Sequence, residues 1–235
     1  MSTGPKPKGP QPKGPQKKSG GVKVPSTGSG GGTSTRRTLI AMGIAGLIVV
    51  AAALGYALLG SGGGSSSDAI KQLEDAGCTV QKVAALPSGD HSVLTPGGTS
   101  KKWNTDPPTS GPHYQVPAIW GAYTEPLFPA QVVHNLEHGG IFMQYGKDVP
   151  AATVAQLKAF YDNHLNATLL APLPKLGDKI AMGVWTTSSP TSSNSGTAYL
   201  AKCTSFDEAA FAAFFKAYQF KGPERFPANT LTPGT

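Results

Sequence analysis

Apolar residues along the chain form one long uninterrupted run and, after it, a region of periodic patterns. The run extends from Leu39 to Leu59 and contains 21 residues without a charged side chain. As an α-helix it would be about 30 Å long, the thickness of the hydrocarbon core of a bilayer. The pattern therefore predicts a transmembrane helix over residues 38–59.

Residues 68–235, called the C-terminal domain below, alternate between helical and extended patterns. Apolar positions three and four residues apart predict amphipathic helices, and short apolar runs between turn residues predict buried strands. The predicted helices cover residues 68–76, 131–137, 152–165 and 205–220, and the predicted strands cover residues 78–84, 141–145, 179–187 and 197–202. Because strands lie close together in sequence, the order favours an α+β fold, a small mixed sheet with two to three packing helices. The last helix would begin at a capping box, Ser205-Phe206-Asp207-Glu208.

The segments on either side of the apolar run have a different composition from the C-terminal domain. Residues 1–37 contain six lysines, Arg36 and Arg37, no acidic residue, and otherwise mostly Gly, Pro, Ser and Thr. Such a segment cannot bury enough apolar surface to fold, so we predict a disordered basic tail. Residues 60–67 are all Gly or Ser and predict a flexible linker.

The asymmetry of charge predicts how the chain is oriented. Eight basic residues precede the apolar run, so the positive-inside rule places the N-terminus in the cytoplasm and the C-terminal domain outside the cell membrane. The net charge is +7, but residues 38–235 hold 12 basic and 13 acidic residues. The basicity therefore belongs to the tail, which favours anionic lipid headgroups as its partner and argues against nucleic acid. A cleaved signal peptide and a twin-arginine signal are the alternatives to a membrane anchor.

Residues 86–129 are rich in Pro and Gly and predict a long loop. A loop of this length is uncommon in a compact domain and is often functional. It carries five of the aromatic side chains, which are Trp103, Tyr114, Trp120, Tyr123 and Phe128. One hypothesis is that these rings bind cell-wall sugar or peptide, which would make the domain a cell-envelope interaction module without a metal. The alternative is that the rings cover the core beneath the loop.

Cys78 and Cys203 are the two cysteines of the chain, and both lie in the C-terminal domain. An oxidising space outside the membrane favours a disulfide between them. In the chain-entropy model, a closed loop of this length would stabilise the domain by roughly 4 to 5 kcal/mol. Ligation of copper or zinc by a thiolate is the alternative.

The densest group of chemically capable side chains is the segment His134-Asn135-Leu136-Glu137-His138-Gly139-Gly140. His134 and His138 share a face in a helix and also in a strand, so their imidazoles could bind one metal ion. Gly139 or Gly140 would end a helix in the left-handed conformation. His113, on the long loop, is the nearest further ligand. The alternative is that these histidines are core or turn residues hydrogen-bonded to the backbone.

The predicted metal site therefore consists of His113, His134 and His138, with Glu137 orienting a ligand or supplying a carboxylate. The predicted metal is copper or zinc. Met143 and Met182 would favour copper if either reached the site, because thioethers select Cu(I).

The pattern His134-x-x-Glu137-His138 also matches inverted zincins, metallohydrolases in which the glutamate is the general base and a distant glutamate is the third zinc ligand. Glu208 is the candidate for that distant ligand, but it already belongs to the predicted capping box. The double glycine would also interrupt the long helix that these enzymes need. The sequence therefore favours a role without catalysis and leaves Glu137 a weak candidate for a catalytic residue.

Three segments of the chain carry a resemblance to a known family. They are Ser110-Gly111-Pro112-His113-Tyr114, the segment from His134 to Gly140, and Gly222-Pro223-Glu224 after the second cysteine. Together they resemble the bacterial family called domain of unknown function 3105, over roughly residues 75–226. The resemblance implies a single-pass membrane protein with this domain outside the cytoplasm, and it implies no particular chemistry.

Overall fold

The computed structural model describes residues 65–190 and 196–235. The predicted basic tail, the predicted transmembrane helix and most of the predicted linker lie outside these residues. Within residues 65–190 and 196–235, no helix has the length and apolar character needed to cross a bilayer.

In the part of the chain that the structure describes, six strands form one mixed sheet in the order β1-β6-β5-β3-β4-β2. The strands are β1 (Thr79–Ala84), β2 (Gly121–Ala122), β3 (Ile141–Tyr145), β4 (Thr168–Pro172), β5 (Ile180–Thr187) and β6 (Gly196–Cys203). Neighbours are antiparallel from β1 through β6 and β5 to β3, whereas β4 runs parallel to β3 and to β2. The predicted α+β class with a mixed sheet is confirmed.

Four α-helices lie in the described part of the chain, whereas two to three were predicted to pack on the sheet. They are α1 (Ser66–Asp75), α2 (Pro129–Glu137), α3 (Ala151–Asp162) and α4 (Glu208–Tyr218). Ser65 caps α1 and forms a reciprocal capping box with Asp68, so the helix begins two residues earlier than predicted. The cap of α4 is Asp207, whose side chain accepts from the Ala210 N–H, which corrects the predicted capping box that began at Ser205.

The two faces of the sheet bury separate apolar clusters. Helices α1, α3 and α4 cover one face, where Leu73, Leu157 and Phe211 are fully buried. Helix α2 and the long loop cover the other face, where Leu136 and Trp185 belong to the second cluster. Because side chains alternate along a strand, neighbouring residues of β3 contribute to different clusters.

The two cysteines form a disulfide between Cys78 and Cys203, as predicted. Cys78 immediately precedes β1, and Cys203 ends β6, its antiparallel neighbour. Both cysteines are buried in the cluster beneath α1 and α4. The bond therefore joins the beginning of the described domain to its late strands, and it removes both thiolates from the set of metal ligands.

Candidate metal centre

Helix α2 places two polar side chains under the long loop. The helix begins at Pro129, whose missing N–H would be unpaired at this position in any case. Its apolar residues Val132, Val133 and Leu136 are buried against the sheet. His134 and Glu137 lie in the last turn and are buried as well, His134 with 6% of its surface exposed and Glu137 with none.

The chain leaves α2 through the double glycine. Gly139 has a φ of +87°, a left-handed conformation that side chains with a Cβ adopt at a cost. The Gly140 N–H donates to the Asn135 carbonyl, which closes the C-terminal turn of the helix, and β3 begins at Ile141. The helix, the left-handed glycine and the following strand all agree with the sequence prediction.

The structure brings together four residues that could hold a metal ion: His91, His113, His134 and Glu137, called the His–Glu cluster below. One ligand atom from each lies within 4.8 Å of the ligand atoms of the other three. His113 and Glu137 have no exposed surface, whereas His91 is exposed and lies at the outer side of the cluster. The cluster is therefore buried at its base and open to solvent at His91.

His113 and Glu137 form the buried base of the cluster. The Nδ1 atom of His113 lies 2.7 Å from the Gly111 carbonyl oxygen, and its Nε2 atom lies 3.0 Å from Glu137 Oε2. The other carboxylate oxygen of Glu137 accepts from the Gly89 N–H at 2.6 Å. Within the described residues, neither His113 Nε2 nor Glu137 Oε2 has an aligned hydrogen-bond partner. Two buried polar atoms are therefore close together without satisfying each other.

His134 is oriented in the same way as His113. Its Nδ1 atom lies 2.8 Å from the Tyr114 carbonyl oxygen. A carbonyl oxygen can only accept a hydrogen bond, so Nδ1 carries the proton and Nε2 keeps its lone pair. A backbone carbonyl behind a metal-binding histidine is a common way to fix its tautomer and ring orientation.

The sequence does not reveal His91 as a ligand, because it lies among Gly, Pro and Ser residues without a recognisable motif. The backbone nevertheless fixes its position. The His113 N–H donates to the Asp90 carbonyl at 2.9 Å, and the Val93 N–H donates to the His113 carbonyl at 3.3 Å. The His91 ring consequently lies 4.7 Å from the His113 ring and 5.1 Å from the His134 ring, centre to centre.

His138, a predicted ligand, lies beside the His–Glu cluster and is not one of its four members. Its ring centre is 4.6 Å from that of His134, so the two histidines do share a face of α2 as expected. The Nε2 atom of His138, however, lies 3.4 Å from Glu224 Oε2. The structure thus replaces the predicted trio of histidines by one in which His91 takes the position expected for His138.

Met143 and Met182 do not approach the cluster, which corrects the expectation that either could favour copper. Both are fully buried in the apolar cluster on the opposite face of the sheet. Met143 alternates with Phe142, which points toward the side of α2. The sheet therefore separates both thioethers from the histidines.

The structure also argues against the inverted-zincin interpretation, because Glu208, its candidate third zinc ligand, is far from the histidines. Glu208 is exposed in the first turn of α4, which packs on the face of the sheet opposite α2. Helix α2 has nine residues and ends at Glu137 itself. Glu137 accepts a hydrogen bond from the Gly89 N–H and faces His113, so its carboxylate is a member of the cluster and has the surroundings of a ligand.

Most aromatic rings of the long loop belong to the core or to the support of the cluster. Trp120 is buried with 4% exposure, and the Trp103 Nε1–H donates to the Pro112 carbonyl, next to His113. Asn135 of α2 holds the loop through two hydrogen bonds with the backbone of Ala118. The loop therefore packs against α2 and covers it. Phe128 is the large aromatic side chain of the loop that remains exposed.

Gly139 and Gly222 allow the end of α2 to contact residues 220–224. A Cβ on Gly222 would lie 2.3 Å from the Glu137 carbonyl oxygen and 2.3 Å from the Gly139 nitrogen. The approach lets the Phe220 N–H donate to Gly139 and the Glu224 N–H donate to Glu137. The segment Gly222-Pro223-Glu224 therefore packs closely against the end of α2 and the double glycine that follows it.

The buried histidines in and beside the cluster are of two electrostatic kinds. Burial disfavours charge on His113, but its contact with Glu137 outweighs burial and raises the pKa of His113. Burial likewise opposes charge on Glu137, and His113 overcomes it to lower the pKa of that carboxyl. Burial lowers the pKa of His134, and burial with the neighbouring His134 lowers the pKa of His138 to about 4. His134 and His138 are thus neutral at neutral pH, the form in which imidazole binds metals.

Residues 96–230 match the model of the family described as protein of unknown function DUF3105. The chain belongs to this family. The comparisons with curated proteins and with solved structures found no match. The matched range includes His113, His134 and Glu137, whereas His91 precedes it. Membership in the DUF3105 family confirms the resemblance stated from the sequence and assigns no activity.

Proposed function

We propose that the C-terminal domain binds one divalent transition-metal ion, zinc or copper, through His91, His113, His134 and Glu137. The observation that carries this proposal is the position of His113 Nε2, which faces Glu137 Oε2 at 3.0 Å in a fully buried site.

The tautomer of His113 explains why a cation suits this position. Because the Gly111 carbonyl can only accept, the His113 Nδ1 atom carries a proton. A neutral ring would then direct the lone pair of Nε2 at a carboxylate oxygen, which is repulsive. Either a second proton or a metal ion resolves the repulsion. Two ligand atoms that share one ion at about 2.1 Å lie about 3.0 to 3.5 Å apart for angles between a right angle and the tetrahedral angle.

The donor set narrows the choice of metal. Three imidazoles and a carboxylate suit zinc and copper(II), which bind nitrogen and oxygen ligands. Among the described residues, the sulfur atoms that copper(I) prefers are elsewhere, since both cysteines are in the disulfide and Met143 and Met182 lie across the sheet. Zinc or copper(II) is therefore a better fit than copper(I), which revises the preference that the methionines suggested.

We place this metal-binding domain outside the cell membrane, anchored by residues 38–59 with the basic tail near anionic lipid on the cytoplasmic side. The apolar run and the charge asymmetry of the sequence support this placement. Protease added to intact cells should digest the C-terminal domain and spare the tail. Protection of the C-terminal domain under these conditions would contradict the orientation.

Titration of the purified full-length chain with zinc or copper(II) tests the proposed function, and we expect one ion per chain. Metal ligands must be deprotonated, and Glu137 raises the pKa of His113, so a proton competes with the metal at His113. Affinity should fall as the pH is lowered from about 7.5 to about 5.5, by up to about tenfold per pH unit for each competing proton. Absence of stoichiometric binding of either metal at the higher pH would contradict the proposal.

A further inference from the structure

His138 and Glu224 form a second pair of ligand-type side chains at the edge of the His–Glu cluster, called the outer pair below. The His138 side chain is 15% exposed and the Glu224 side chain 47% exposed, so the outer pair faces solvent. The cluster beside it has three buried members. The outer pair is therefore more accessible to solvent than the buried base of the cluster.

A continuous row of imidazoles connects the outer pair to the buried base. The His138 ring is 4.6 Å from the His134 ring, and the His134 ring is 4.7 Å from the His113 ring, centre to centre. Each step is short enough for a metal ion to exchange one imidazole ligand for the next by a small displacement, since metal–nitrogen bonds are about 2 Å long.

The backbone holds the outer pair in place from both sides. His138 caps α2, and its N–H donates to the His134 carbonyl. The Glu224 N–H donates to the Glu137 carbonyl at 3.0 Å, so the two side chains project from adjacent backbone segments. Phe226 packs its ring 4.6 Å from the His138 ring and limits its movement. The outer pair is therefore part of the same framework that builds the cluster.

The separation within the outer pair suits a shared cation better than a direct hydrogen bond. His138 Nε2 and Glu224 Oε2 are 3.4 Å apart. Hydrogen bonds to a charged group are usually about 2.7 to 2.9 Å long. Two ligands of one tetrahedral zinc ion, in contrast, are about 3.4 Å apart.

We propose that His138 and Glu224 form an outer capture site, which binds a divalent transition-metal ion first and passes it through His134 to the His–Glu cluster. The proposal rests on the proposed function of the cluster. With two protein ligands the capture site completes its shell with water, so it binds weakly and releases the ion inward. The four ligands of the cluster hold the ion at equilibrium.

The capture site predicts a kinetic effect without an effect on equilibrium. In the full-length chain, His138→Gln with Glu224→Gln should slow zinc association at least about tenfold in stopped-flow mixing. Zinc release should slow by the same factor, because a site that only provides a route changes both rates equally and leaves the dissociation constant unchanged. The stoichiometry should remain one ion per chain.

The single variant Glu224→Gln guards against an effect on folding, because this residue is exposed. It should also slow association. Glu125→Gln, which removes another exposed carboxylate, is the matched control for charge and should leave both rates unchanged.

Unchanged association in both outer-pair variants would overturn the capture site, and so would weaker equilibrium binding with an unchanged association rate. Either result is distinguishable from failure of the proposed function, in which the unaltered chain itself would bind no zinc.

Discussion

Replacing His113 by glutamine should lower the affinity of the chain for zinc by more than about 100-fold. The imidazole is fully buried, its tautomer is fixed by Gly111, and its Nε2 atom points at the position that the metal would occupy. Loss of residues that only orient a metal ligand already costs about 10- to 100-fold in affinity, so loss of a ligand should cost more. Competition titration against a chelator of known affinity measures the change.

Two further variants make this result interpretable. His164→Gln removes the one histidine outside both the His–Glu cluster and the outer pair, where its Nδ1 contacts the Phe160 carbonyl, and should leave zinc affinity unchanged. His91→Gln removes an exposed member of the cluster without disturbing the core and should weaken binding by at least about tenfold. Wild-type affinity in the His113→Gln chain would rule out this ligand set.

Replacing Gly222 by alanine should destabilise the C-terminal domain by about 5 kcal/mol, the upper end of the range for single substitutions. The added Cβ would lie 2.3 Å from two backbone atoms, the Glu137 oxygen and the Gly139 nitrogen. Backbone atoms cannot rotate away as a side chain can, so α2 or the 220–224 segment must move. Zinc affinity should fall as well, because the displaced helix end carries Glu137.

Denaturation by guanidinium, followed by tryptophan fluorescence, measures this loss. All three tryptophans lie in the C-terminal domain, so the signal reports on that domain alone. Gly121→Ala is the matched control, since its Cβ would meet Tyr123 at an ordinary contact distance of 3.6 Å. It should change the stability by less than about 1 kcal/mol. Equal stability of the two variants would show that the contact between Gly222 and α2 is unimportant.

Local patterns were enough to predict much of the fold. The strand 141–145 and the end of α2 follow from apolar periodicity and a glycine in the left-handed conformation, both of which are properties of adjacent residues. Strand β4 was not predicted, because its identity as a strand depends on parallel pairing with β3 and β2, which the short apolar run of residues 168–172 does not reveal. The cap of α4 was misassigned because Ser205 and Asp207 are both favoured caps.

Less of the candidate site than of the fold could be predicted from the sequence. The spacing of His134 and His138 predicted a shared face in either a helix or a strand, and their ring centres lie 4.6 Å apart at the end of α2. It could not reveal that Glu224, brought in by the close approach at Gly222, would lie next to His138. His91 is placed by backbone hydrogen bonds to His113, so only the folded loop shows its contribution. The one available signal was the number of histidines, since four of the five lie in this region.

X-ray absorption spectroscopy of the zinc-loaded full-length chain tests the central claim most directly, because it identifies the atoms bound to the metal. The predicted shell contains nitrogen and oxygen at about 2.0 to 2.2 Å with the outer-shell scattering of three imidazoles. Replacement of His113 by glutamine should remove one imidazole from that shell. A sulfur ligand at about 2.3 Å, or a shell without imidazole, would contradict metal binding by His91, His113, His134 and Glu137.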